Sequence, residues 1–89
     1  MAKIERLVRK MLNKPAEMLF TEVEYVLNYF GFIKNTPKGG SHFIFRKGEE
    51  YITVPRKKKK VKRGYILRII EMLNLEEWYE NLKKEGRIN

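Results

Sequence analysis

Hydrophobic and polar residues alternate along this chain in two periods, and the switches between them mark out its elements. Ile4, Leu7, Val8, Met11 and Leu12 recur at helical spacing with charges between them, which predicts an amphipathic helix over residues 2–13. Asn13-Lys14-Pro15 ends it, because proline disfavours helix in the residue before it. Thr21-Glu22-Val23-Glu24 reads as a capping box, with Phe20 and Tyr25 at the staple positions. Val23, Val26, Leu27 and Phe30 form the buried stripe of that second helix, and Gly31 stands where a helix C′ glycine belongs. Phe32 to Asn35 is a short strand, and Pro37-Lys38-Gly39-Gly40 reads as a turn. Ser41–Lys47 and Glu50–Val54 are extended runs joined tightly at Lys47-Gly48-Glu49, a hairpin whose second strand stops at Pro55. Arg56–Arg63 has one apolar residue, Val61, and is expected to be a solvated loop. From Gly64 the helical period returns with Ile66, Leu67, Ile69, Ile70 and Leu73. Asn74 interrupts it, and Leu75, Trp78, Tyr79 and Leu82 continue on a terminal helix that is expected to fray from Lys83.

The order is helix, helix, three strands, helix, short helix. A small antiparallel sheet must bury one face. The fold class is therefore α+β, a three-stranded antiparallel sheet with helices packed on one face and an extra N-terminal helix. At 89 residues there is room for a single domain over 1–89. Its parts are an N-terminal helix extension at 1–17, a core at 18–75, and a C-terminal helix and tail at 76–89. Strand parity puts Phe43, Phe45, Ile52 and Val54 on the core face. His42, Ile44, Arg46, Tyr51 and Thr53 then occupy the open face.

Charge changes this picture by giving it a location. The formal net charge is +9, but residues 31–68 alone carry +10, against +1 for residues 1–30 and −2 for residues 69–89. Arg56–Arg63 holds seven positive charges in eight positions. Such a footprint fits a polyanion, most simply nucleic acid, with an anionic membrane surface as the lesser option. Phosphate binding by lysines positions a nucleic acid without reading its sequence. No apolar run approaches the length of a membrane span, and charges at Glu5, Arg6, Arg9 and Lys10 break any secretory h-region. The expected compartment is the cytoplasm.

The candidate chemistry is sparse. The chain has one histidine, His42, and no cysteine. A lone histidine on a strand is more often polar filler than a catalyst, although imidazole is the usual general base near neutral pH. Ser41 beside it is not a triad, since neighbours on a strand face opposite ways and the chain has no Asp to orient the ring. No His/Glu cluster has metal-ligand spacing, and Gly39-Gly40 lacks the residues of a phosphate loop. Trp78 and Tyr79 read as core or partner contacts.

Several segments in order carry a resemblance. They are Phe20-Thr21-Glu22-Val23, Gly31-Phe32, the run from Lys38-Gly39-Gly40-Ser41-His42 to Arg46, Val54-Pro55, and the run from Lys60 through Gly64-Tyr65 to Ile70. Together, from about Phe20 to Leu75, they resemble the HicA toxins, the RNase halves of HicA–HicB toxin–antitoxin modules. The resemblance implies a fold similar to the double-stranded-RNA-binding domain, and cleavage of mRNA without ribosomes or metal. It implies His42 as the catalytic acid/base and a HicB-type antitoxin as the partner that covers the active face. It implies no cofactor and no membrane partner. In the mechanism that follows, Lys38, Arg46, Lys57, Lys58, Lys59, Lys60, Lys62 and Arg63 bind RNA, and Gly40 and Ser41 shape the strand entry. Arg46 and the lysines from Lys57 to Lys60 stabilise the charge of the phosphorane. Many members carry a second histidine two residues after the V-P proline, where this chain has Lys57. The glycine that usually follows the last main helix is here Asn74. Residues 2–13 and the acidic tail lie outside the family pattern. Two other readings compete: a non-catalytic RNA-binding domain of the same fold, and a basic domain whose partner is an acidic protein.

Overall fold

A computed structural model describes residues 2–35 and 41–87. The elements run α1 (Lys3–Leu12), β1 (Glu17–Leu19), α2 (Phe20–Tyr29), β2 (Ile33–Asn35), β3 (His42–Lys47), β4 (Glu50–Pro55), β5 (Lys60–Lys62), α3 (Arg63–Leu73) and α4 (Leu75–Lys84). Strands β2, β3 and β4 form an antiparallel sheet in that order, and β1 pairs antiparallel with β5 in a separate ribbon. With helices covering one face of the three-stranded sheet, the architecture is α+β and double-stranded-RNA-binding-domain-like.

The core forms where the apolar periods meet. Phe45, Ile52 and Val54 are buried on the sheet's inner face, and Ile66, Ile69 and Ile70 of α3 belong to the same cluster. Helix α2 adds Val23, Val26 and Leu27. Helix α1 adds Ile4, Leu7, Val8 and Met11, and α4 adds Leu75, Tyr79 and Leu82. Lys10 of α1 donates to both carboxylate oxygens of Glu22 at 2.8 and 3.0 Å, tying α1 to the start of α2.

Helix α2 starts two residues earlier than its sequence suggests. The residue before it is Leu19, and Glu22 accepts from the Leu19 backbone N–H at 3.1 Å. The box predicted at Thr21 and Glu24 is therefore replaced by its carboxylate half at Leu19 and Glu22, because a leucine side chain cannot accept a hydrogen bond. The predicted staple is also absent. Phe20 turns into the core against Phe43 and Phe45, with ring centroids 4.9 and 6.1 Å away, while Tyr25 stays partly exposed beneath the Lys3 ammonium. The end of α2 is as predicted. Gly31 has φ +93°, its N–H donates to the Asn28 carbonyl, and the Phe32 N–H donates to the Leu27 carbonyl at 2.9 Å. This pair of bonds closes a Schellman turn and seals Phe32 over Leu27. Asn74 takes the left-handed conformation (φ 51°, ψ 48°) between α3 and α4.

The main departure lies in residues 56–63. The expected loop contains β5, whose Val61 is fully buried opposite Met18. A three-residue strand with one apolar position gives almost no periodic signal. Its partner, Glu17–Leu19, gives as little, so the pairing is visible only when both are brought together. Lys57 and Lys60 exchange both backbone hydrogen bonds, at 3.1 and 3.0 Å, around a two-residue turn. Both turn residues, Lys58 and Lys59, have positive φ, 53° and 64°. Turns of this hand favour Asn-Gly, because a Cβ in the left-handed region costs about 1–2 kcal/mol per residue. The terminal helix is also tied further than expected, since the Arg87 N–H donates to the Leu82 carbonyl at 2.9 Å.

The turn yields a stability prediction. The double variant Lys58→Asn/Lys59→Gly relieves the left-handed strain and should raise stability by about 1 kcal/mol, or about 4–8 °C in Tm for a domain of this size. Thermal unfolding by circular dichroism checks it, and an unchanged or lower Tm would show that the turn is unstrained.

Candidate functional site

His42 is the first residue of β3 and is paired with Pro55, the last of β4. The Ser41 carbonyl accepts from the Arg56 N–H at 2.7 Å, so the pairing extends one step beyond the strand ends. This holds His42 at the end of the central strand, on the open face of the sheet and exposed to solvent. Lys38 and Gly40 lie outside the described residues.

The cationic run reaches His42 through β5. The Phe20 N–H donates to the Lys59 carbonyl at 2.9 Å, and the Arg63 N–H donates to the Ala16 carbonyl at 2.9 Å. Between these ties, β1 and β5 pair from Leu19↔Lys60 to Glu17↔Lys62. Val61 points into the core, so by strand alternation Lys60 and Lys62 point out. The result is a cleft of about 210 Å³ lined by His42, Pro55, Lys57, Lys60, Lys62 and Tyr65. A neighbouring hollow of about 220 Å³ is lined by Lys57, Lys58, Lys60, Lys62 and Glu17.

Lys60 is already paired, with its ammonium 3.1 Å from the Glu17 carboxylate. Among the described residues, Lys57, Lys58, Lys59 and Lys62 make no salt bridge. Arg63 opens α3, and its Nε donates to the Pro15 carbonyl at 3.3 Å. Arg56 takes a different part. Its guanidinium lies over the rings of Phe20 and Phe43, 5.7 and 5.5 Å from their centroids. Lys34 covers the same two rings at 5.7 and 5.3 Å and ion-pairs with Glu24 at 2.7 Å. These two cations pack over the rings of Phe20 and Phe43, the latter next to His42 in β3.

Arg46 does not join the cleft. It lies four residues along β3 from His42, about 13 Å at the usual strand rise, and its guanidinium sits 5.1 Å over the Tyr51 ring. It is not among the residues that line the His42 cleft. Tyr65 and Pro55 were not among the site residues read from the sequence. Tyr65 lies off the buried stripe of Ile66, Ile69 and Ile70, and that offset was the available signal.

Chemically, the arrangement offers one imidazole, one phenol and three ammonium groups around a single cleft. No helix among the described residues is long and apolar enough to cross a membrane.

The family model described as "HicA toxin of bacterial toxin-antitoxin" matches residues 20–75, from the first residue of α2 to the first of α4. No curated protein and no solved structure matches the chain. The match covers well over half of the 89 residues and includes His42, the lysine turn and α3, and the chain therefore belongs to the HicA family, the toxins of bacterial toxin–antitoxin modules.

Proposed function

We propose that this toxin is a metal-independent endoribonuclease that cleaves mRNA, with His42 as its acid/base and a HicB-type antitoxin as its inhibitor. The observation that carries the reading is the exposed imidazole of His42 at the rim of a cleft shared with Lys57, Lys60, Lys62 and Tyr65. RNA carries its own nucleophile. The 2′-OH attacks the adjacent phosphorus, the P–O5′ bond breaks, and a 2′,3′-cyclic phosphate and a 5′-OH result. The reaction needs one group to take the 2′-OH proton, one to protonate the leaving oxygen, and positive charge around the phosphorane.

His42 performs one of these transfers and water the other. Lys57 occupies the position of the second histidine found in many relatives. Its ammonium supplies positive charge to the phosphorane. Lys62 and the Tyr65 hydroxyl can donate to the same phosphate oxygens. Lys58, Lys59 and Arg63 bind flanking phosphates, and an antitoxin laid across this surface would block both the imidazole and the lysines. A non-catalytic RNA-binding domain would use the same lysines without needing His42.

Two outcomes test this reading. Induction of the wild-type chain in bacteria should arrest growth and deplete mRNA, while His42→Ala should fold normally and lose about 10²–10⁴-fold in cleavage rate. A chelator should leave the wild-type rate unchanged. If purified wild type binds RNA and leaves it intact, the non-catalytic domain is the correct reading. Separately, Glu17→Gln releases Lys60 from its carboxylate and should tighten RNA binding. The slope of log affinity against log salt should steepen by about 0.7–0.9 for the one added phosphate contact. An unchanged slope in a salt titration would place Lys60 outside the RNA path.

A further inference from the structure

The open face of the sheet carries side chains that the cleavage reading does not use. Three cross-strand rows run over it. The first is Ile33, Arg46 and Tyr51; the second is Asn35, Ile44 and Thr53; the third is His42 and Pro55. The first row is the notable one. Ile33 is 70% exposed and Tyr51 58% exposed, at the two ends of the row and both on the strongly basic segment of the chain. Arg46 lies between them in the register, with its guanidinium over one face of the Tyr51 ring. An aromatic ring, an arginine plane and a flat aliphatic side chain in one row make a surface suited to a planar, electron-rich group.

We infer that this open face is a platform for single-stranded RNA on which Tyr51, flanked by Arg46 and Ile33, stacks a base of the substrate strand. The inference rests on the RNA-cleavage reading for the identity of the ligand and adds the strandedness and the residues that select it. Three arguments carry it. The +10 charge of residues 31–68 complements a phosphate backbone and opposes an apolar or basic occupant. The row shares its face with His42 and lies about 13 Å along β3 from it. A strand whose scissile phosphate sits at His42 can therefore run down β3 and set a nearby base on Tyr51. Finally, an aromatic side chain reaches the face of a base only when that base is unstacked, whereas a duplex hides its base faces inside the helix. The platform thus selects single strands, although the fold is similar to that of a duplex binder.

The test uses the full chain carrying His42→Ala, so that RNA is bound and not consumed. Fluorescence anisotropy measures its affinity for a labelled single-stranded RNA of about 12 nucleotides, within the site sizes of single-strand binders, and for the blunt duplex of the same sequence. Adding Tyr51→Ala should weaken single-strand binding about five- to a hundred-fold. Tyr51→Phe keeps the ring and should stay within about threefold. Neither should change the salt slope or the duplex affinity, because no phosphate contact is lost. Lys58→Ala serves as the contrast and should weaken both RNAs and lower the slope by about one. Circular dichroism melting establishes that each variant is folded. Equal losses on both RNAs, no loss on the single strand, or no RNA binding by the parent overturns the platform.

The two readings separate cleanly. If wild type leaves RNA uncut but Tyr51→Ala still loses single-strand affinity, the nuclease reading fails and the platform stands. If wild type cuts RNA and Tyr51→Ala binds as the parent does, the platform is wrong. The exposed row is then a protein-docking surface.

Discussion

The antiparallel pairing of Glu17–Leu19 with Lys60–Lys62 joins two segments more than forty residues apart, and the geometry of the site depends on it. The ribbon is short, but it is closed at both ends by backbone bonds, from Phe20 to Lys59 and from Arg63 to Ala16. Met18 and Val61 face inward from it and are buried. It brings the first turns of α2 and α3 together and turns the lysine-rich segment back towards the end of the central strand that bears His42. Without it, residues 56–63 would be the solvated loop that their composition suggests. Their charges would then have no fixed relation to the imidazole.

That fixation is made against local preference. Two consecutive lysines hold left-handed backbone at the tip of the turn, and further lysines lie on either side. Both the strain and the like-charge repulsion oppose the free fold, and a bound polyanion relieves the second of them. Only Lys60 of the cluster has a carboxylate partner among the described residues. The remaining ammonium groups are desolvated and neutralised only when something anionic arrives, as expected of a surface shaped for binding. Around Phe43, next to His42 in β3, the opposite strategy holds. Arg56 and Lys34 lie on the Phe20 and Phe43 rings, so two cations act there as packing elements.

The sheet divides its residues by parity. One face supplies Phe45, Ile52 and Val54 to the core, and the other presents His42, Arg46 and Tyr51. Because the side-chain period is two, a slip of one residue would bury the histidine and expose the phenylalanines. The two-residue connection at Gly48-Glu49, with Gly48 at φ +60°, sets the hairpin register and so protects the arrangement. The helices outside the family match, α1 and most of α4, contribute to the same core and leave the His42 face open.

Much of this was legible in the residues. The helical periods located α1, the body of α2, α3 and α4, and alternation placed Phe45, Ile52 and Val54 inside with His42 and Arg46 outside. The glycine at position 31 and Asn74 marked their helix ends. Each of these is a local property, decided within a few residues by sterics and burial. What stayed illegible was non-local. Val61 looked like one apolar residue in a charged loop, and Glu17–Leu19 gave no strand signal, because neither segment carries enough periodicity to declare a strand. Phe20 looked like a staple because its proper partners, Phe43 and Phe45, are distant in sequence. Arg46 and the lysines looked like one cluster because sequence counts charges without measuring the distance between them. The sequence alone thus determined which surface is basic and which face His42 occupies. Only the tertiary structure decided which cations stand beside the imidazole, because long-range pairing, unlike periodicity, depends on two segments that must each find the other.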